Sequence, residues 1–239
     1  MIKAITFDLW NTLIVEKKYT EKRIVILADA LGKEGQRVNL EALRFAWAAA
    51  QRRHDELWSV EYCQYPLIER LDDVLNGASV TLSRASKTRV TERYGELIRE
   101  DPPALTEGAA DTVSRLFPHF RLGIISDTGI TSGNQIRRFF EDLGILRHFT
   151  TTVFSDETML CKPRLEAFDA ALKGLKVAPG EALHVGDLLR TDVAGAEAAG
   201  MKGVWLKIRE PDAVGVTPDY TITRLRELLE IPEIKERLG

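Results

Sequence analysis

Short apolar runs, several rich in β-branched residues, recur at residues 4–7, 122–125, 151–154, 182–185 and 203–206, and helical periodicity fills most of the intervals between them. Strands that alternate with helices predict a parallel sheet, because parallel neighbours need long crossover connections. Between the second and third runs, Ile136, Phe139, Phe140 and Leu143 follow i, i+3, i+4, i+7 spacing, and Gly144 stands where such a helix would end. After the third run, Pro163 is placed to open a helix whose apolar stripe is Leu165, Phe168, Leu172 and Leu175.

Residues 16–100 break this rhythm. They contain no convincing strand and about four amphipathic stretches. The stripes are Ile24, Leu27, Ala28 and Leu31, then Leu40, Leu43 and Trp47, then Leu67, Leu71 and Val74, then Val90, Tyr94 and Leu97. The pattern predicts an α/β chain: a Rossmann-like, doubly wound parallel-sheet core formed by residues 1–15 and 101–239, with an inserted α-helical cap at 16–100. Polar or proline-bearing joints, Glu16-Lys17-Lys18 and Glu100-Asp101-Pro102-Pro103, flank the insert as hinges would.

Composition narrows the function classes. With 239 residues, 44% of them hydrophobic, the chain can bury a full core and carry a second unit. A net charge of -3 lacks the basic excess of a nucleic-acid binder, so a small-molecule substrate is expected. Cys63 and Cys161 match no zinc or thioredoxin spacing. No apolar stretch reaches the ~18 residues of a membrane span, and the expected location is cytoplasmic. Whether the protein is a monomer or a homodimer stays open.

Ligands gather at the carboxyl ends of parallel strands. There the sequence reads Phe7-Asp8-Leu9-Trp10-Asn11-Thr12-Leu13, then Ile125-Ser126-Asp127-Thr128, then Cys161-Lys162-Pro163, then Gly186-Asp187-Leu188-Leu189-Arg190-Thr191-Asp192. Singly these residues have structural uses as turn formers, helix caps or solvated charges. Converging at one sheet edge, they suit group transfer to a carboxylate. Asp8, with a reference pKa of about 3.9, is ionised at neutral pH and can attack without a separate base. Crowded carboxylates at Asp8, Asp187 and Asp192 call for a cation, and an all-oxygen set suits Mg2+. Ser126 and Lys162 can hold anionic substrate oxygens, with Thr12 and Asp127 beside them.

These segments resemble the four motifs of the haloacid dehalogenase superfamily, with a cap inserted after the first, and the resemblance spans essentially the whole chain. It implies Asp8 as nucleophile, Ser126 and Lys162 as catalytic partners, and Asp187 and Asp192 as the acidic pair. It also implies a metal ligand from the main-chain carbonyl of Trp10.

Trp10 is also a departure. Phosphatases of this family usually carry there a second Asp, which protonates the leaving group and then activates water, and an indole does neither. Four readings follow. One is a phosphatase acting on activated phosphates, or drawing the proton from Asp127 or the substrate. A second is a 2-haloacid dehalogenase, whose family members place a tyrosine at this position, with Arg37 near the place of their substrate-binding arginine. A third is a phosphonatase-like hydrolase using a cap lysine among Lys17, Lys18, Lys22, Lys33 and Lys87. The fourth is a protein that binds a phosphorylated ligand without turnover. His184 and Cys161 are expected to pack, as are Trp47, Trp58, Tyr62 and Tyr65.

Overall fold

The computed structural model describes residues 1–213 and 215–239. Its centre is strand β1 (Ala4–Phe7), every residue of which is buried. Four helices follow, α1 (Thr20–Lys33), α2 (Leu40–Glu56), α3 (Leu67–Gly77) and α4 (Arg84–Glu100). Next come α5 (Ala109–Leu116), β2 (Arg121–Ser126), α6 (Gly133–Asp142), β3 (Phe149–Phe154), the single turn α7 (Ser155–Thr158) and α8 (Leu165–Leu175). The chain continues through β4 (Ala182–Gly186), α9 (Ala194–Ala198), β5 (Lys202–Leu206), β6 (Tyr220–Ile222) and α10 (Pro232–Leu238).

The six strands form one sheet in the order β3-β2-β1-β4-β5-β6, and every pairing is parallel. Side chains alternate across the pleat, so both faces must be covered. On one face Ile5, Phe7, Leu122 and Val185 pack with Val113 of α5, Phe140 of α6 and Ile234 of α10. On the other, Ala4 and Ile125 pack with Phe168, Leu172 and Leu175 of α8 and Ala196 of α9. Helices on both faces make the sheet doubly wound, as the alternation of runs predicts. β6 escapes sequence reading because a three-residue edge strand, Tyr220-Thr221-Ile222, is too short to show a period.

The helices between β1 and β2 enclose an apolar cluster of their own, built on Ile24, Leu27, Leu31, Leu43, Trp47, Leu71, Val74, Val90 and Tyr94. Ile130, from the loop after β2, plugs into it. Asn39 caps α2 by accepting from the amides of Glu41 and Ala42, and Ser83 caps α4 by accepting from that of Ser86. Four local expectations are corrected. Leu143, placed in the stripe of α6, is its C-cap and exposed. Leu40, at the first turn of α2, is exposed. Leu165 is exposed too, because it starts α8 before the helix meets the sheet. Pro163 does not open that helix: Arg164 is its N-cap, and Lys162-Pro163 is a cis peptide inside the preceding turn.

Candidate active site

The register aligns Phe7 of β1 with Ile124 of β2 and Val185 of β4, so the segments beyond these strands emerge side by side. After β1 the chain folds back at once. The amides of Leu13 and Ile14 donate to the Leu9 carbonyl at 2.9 and 3.0 Å, and Asn11 sits in the left-handed region at φ 60°. Asparagine tolerates that conformation better than most residues. The tight turn leaves Asp8 and Trp10 facing the space in front of the sheet.

Three carboxylates meet there. Asp8, Asp187 and Asp192 are all buried, and each offers an oxygen within 4.8 Å of those of the other two. Lys162 lies across the group, its Nζ 2.5 Å from Asp8 Oδ1 and 2.7 Å from Asp192 Oδ1. Asp192 Oδ2 accepts from the Leu188 amide at 3.0 Å. His184 Nε2 is 3.3 Å from Asp192 Oδ1, and its Nδ1 is 2.9 Å from Thr6 Oγ1. Arg209 Nη2 lies 2.6 Å from Asp187 Oδ2.

The electrostatics follow from crowding without water. Burial first, then the neighbouring Asp192 and Asp187 charges, push the Asp8 carboxyl up to about 8 against the pull of Lys162, so the expectation that it is ionised at neutral pH needs a cation to offset those charges. Burial and Asp192 likewise push Asp187 up to about 6, against Arg209 and Lys162. Asp192 goes the other way: burial opposes ionisation, but the Lys162 ammonium and the His184 contact hold its carboxyl well below the usual range. Burial depresses the imidazole of His184, so it packs as a neutral ring, as expected, while also positioning Asp192.

Asp127 belongs to the same cavity but is fully engaged. Its Oδ2 accepts from Trp58 Nε1 at 2.8 Å, its Oδ1 from the Lys162 amide at 3.0 Å, and its main-chain carbonyl from Trp10 Nε1 at 3.1 Å. Burial raises its pKa, with Lys162 opposing. Four carboxylates thus face two near cations, Lys162 and Arg209, and the surplus negative charge in an all-oxygen donor set fits a divalent ion such as magnesium.

Of the residues singled out by sequence, Asp8, Trp10, Asp127, Lys162, Asp187 and Asp192 line one cavity of about 550 Å³. Thr12 and Ser126 are buried beside it, each hydroxyl without a hydrogen-bond partner, but neither forms part of its wall. Arg37 is exposed and away from the cavity. Of the lysines considered, Lys17 and Lys18 line the cavity, and Lys17 is paired with Asp101. Trp47 packs in the helical core and also lines the cavity, while Trp58 is not core filling at all, since its indole holds Asp127. Sequence reasoning passed over Arg23, Arg70, His54 and Arg209, which also line the cavity. Arg23 and Arg70 were visible in one respect: each stands four residues before an apolar stripe position, Leu27 and Val74, where a solvated charge does not belong.

Among known proteins, the family model for haloacid dehalogenase-like hydrolases matches residues 2–200. A glyceraldehyde 3-phosphate phosphatase of Pyrococcus furiosus is 30% identical, the match covering 97% of this chain and 93% of that protein. The solved structure of a 2-haloacid dehalogenase from Pseudomonas syringae pv. Tomato DC3000 is similar with a TM-score of 0.71 and 25% identity, over 100% of both chains. The HAD-hydrolase YfnB of Bacillus subtilis, solved bound to magnesium, is similar in fold with a TM-score of 0.66 and 17% identity, over 96% of this chain and 97% of that one.

Proposed function

Because the chain belongs to the haloacid dehalogenase-like hydrolases, we propose that it is a magnesium-dependent phosphatase of a small phosphorylated metabolite, with Asp8 as its nucleophile. The observation that carries this reading is the buried cluster of Asp8, Asp187 and Asp192 with Lys162 laid across it. Asp8, Asp187 and Asp192 would hold the ion, with the carbonyl of Trp10. When bound, it would neutralise the crowded carboxylates and the charge of the phosphoryl group.

In the first step a carboxylate oxygen of Asp8 bonds to phosphorus as the bond to the leaving oxygen breaks, and the electron pair departs on that oxygen, as a carboxylate from an acyl phosphate or an aryloxide from an aryl phosphate. Water then cleaves the aspartyl phosphate at phosphorus, releasing phosphate and restoring Asp8. Lys162 offsets the charge on the phosphoryl oxygens, and the unpartnered hydroxyls of Ser126 and Thr12, buried behind the cavity wall, would have to turn into it to donate to the same group. Asp127 keeps the turn of Lys162 and the indole of Trp58 in place, and with both oxygens accepting N–H groups it is a positioning residue, not a spare acid. Trp10 supplies no proton to the leaving group. Acyl or aryl phosphates, which leave without one, are therefore the favoured substrates.

The phosphatase name of the Pyrococcus furiosus relative supports this reading. A cavity of about 550 Å³ suits a small metabolite. The helices at 20–100 would act as the cap that covers it. With Cys63 and Cys161 both free, a reducing cytoplasmic setting fits, and no helix among the described residues is long and apolar enough to cross a membrane. A second reading, 2-haloacid dehalogenase, is favoured by Trp10 and by the Pseudomonas syringae neighbour. The buried acid at Asp187 stands against it, because displacement of halide by Asp8 needs no metal and so no further metal-binding carboxylate. The two are separated by assaying p-nitrophenyl phosphate, an acyl phosphate, a phosphonate and 2-chloropropionate with and without EDTA. Phosphate release abolished by the chelator is expected; halide release indifferent to it would replace the phosphatase by the dehalogenase.

A further inference from the structure

The cap side of the cavity holds a feature that attack at Asp8 does not use. Arg23 of α1 is 8% exposed and Arg70 of α3 is 4% exposed, and both line the same cavity as Asp8. Guanidinium groups stay charged in proteins. Yet among the described residues no carboxylate lies within 4.0 Å of either one. Arg23 Nη2 donates to Thr131 Oγ1 at 3.1 Å, and Arg70 Nη2 donates to Gln51 Oε1, both neutral acceptors. The Nε of each arginine has no hydrogen-bond partner. Asp55, the nearest candidate counterion along the cavity wall, is kept from Arg70 by Gln51, whose Nε2 donates to Asp55 Oδ1 at 2.8 Å. The remaining neighbours are ring faces: Tyr19 and Tyr94 lie 5.4 and 6.0 Å from the Arg23 guanidinium, and Trp47 lies 5.7 Å from that of Arg70.

Two buried cations without a counter-anion are costly in a folded chain unless something compensates them. The strain is visible in their acidity. Burial, and then the nearby Arg70 charge, bring Arg23 down to about 10, and burial brings Arg70 down to about 10. Aromatic faces soften the cost without neutralising it. On each group an unpartnered Nε–H stands beside an Nη2 held only by a neutral acceptor, donors that a carboxylate or phosphate would satisfy better.

We propose that the substrate carries a second oxyanion, a carboxylate or a second phosphate, distant from the group attacked by Asp8, and that Arg23 and Arg70 bind it. The inference rests on the reading of the Asp8 cluster as a phosphoryl-transfer centre. It also narrows that reading: sugar or alcohol monophosphates, with a single anionic group, would leave Arg23 and Arg70 without a counter-anion. Arg23 sits in the first turn of α1 and Arg70 in α3, so the second oxyanion would also tie two helices of the insert to the core through one ligand.

The test is calorimetric binding to the Asp8→Asn protein with magnesium, which removes turnover. Two matched pairs are used: 3-phosphoglycerate against glycerol 3-phosphate for a carboxylate, and fructose 1,6-bisphosphate against fructose 6-phosphate for a second phosphate. Charge-assisted bonds to two guanidinium groups should make the two-anion member of at least one pair bind roughly ten- to a hundredfold tighter. The pair that responds identifies the anion. Adding Arg70→Gln should reduce that preference at least about tenfold, and Arg70→Lys, which keeps the charge but loses the fork, should reduce it less. Equal affinities within both pairs, or no binding by any of the four, would overturn the proposal even if neither arginine variant folds. The phosphatase reading fails separately, if the wild-type protein hydrolyses no phosphate ester or acyl phosphate with magnesium.

Discussion

Trp10 stands two residues beyond Asp8, and its indole is committed to the main-chain carbonyl of Asp127 at 3.1 Å. The side chain therefore braces the pocket, and on the proposed reading it leaves the leaving group without a proton donor. Trp10→Asp should raise magnesium-dependent hydrolysis of alkyl phosphates by about a hundredfold, the lower range of general acid–base help. Steady-state kcat on glycerol 3-phosphate measures it, and a folded variant with no gain would contradict the missing-acid account. His54 makes a second residue-scale prediction. Burial, then the Arg70 charge, depress its imidazole to about 4, and its Nδ1 has no partner. The unfolded chain takes up this proton near pH 6.5 and the folded chain only near 4, so stability is full above the first value and falls as the pH drops toward the second. His54→Gln should remove about 2 kcal/mol of the stability difference between pH 7 and pH 4.5, after allowance for partial exposure. Urea titrations of both proteins at the two pH values check this, and parallel curves would refute it.

The strand ends, more than the individual residues, assemble the site. Gly186 ends β4, and a Cβ added there would lie 2.1 Å from Asp192 Cγ and 2.3 Å from its Oδ2. The glycine is thus the space into which the Asp192 carboxylate folds back. Gly186→Ala should displace that carboxylate, with a stability loss of about 1–3 kcal/mol and a larger relative loss of magnesium affinity. Melting curves with and without magnesium separate the two effects; an unchanged magnesium-induced shift would show that the contact does not matter. Much of this level was legible in the sequence. Asp8, Ser126, Asp187 and the runs before them could be placed because strand ends are local features that a pattern reveals. The start of α8 was misplaced because proline at a first helical turn and proline in a cis turn look alike in sequence. Trp58, Arg23 and Arg70 were not legible as site residues, since their partners Asp127, Thr131 and Gln51 are set by how the helices dock and not by local spacing.

Across the whole molecule, the helices after β1 are joined to the sheet side by side-chain contacts at the mouth of the cavity. Trp58 donates to Asp127, the guanidinium of Arg190 lies 4.1 Å from the Trp58 ring, and Gln64 Nε2 donates to the Gly129 carbonyl at 3.0 Å while its Oε1 accepts from Ser155 Oγ at 2.7 Å. Polar bridges of this kind can be remade as the cavity opens and closes, whereas the apolar cores on either side stay intact. On the proposed reading the sheet would supply the reacting groups and the helices would select the substrate. That division depends on Asp8 being the atom source for the covalent step. The most direct measurement is magnesium-dependent hydrolysis of p-nitrophenyl phosphate by the wild type and by Asp8→Asn, with folding of both verified by circular dichroism. The account predicts that kcat falls roughly a thousandfold or more in the variant; a folded Asp8→Asn protein within tenfold of the wild type would contradict it.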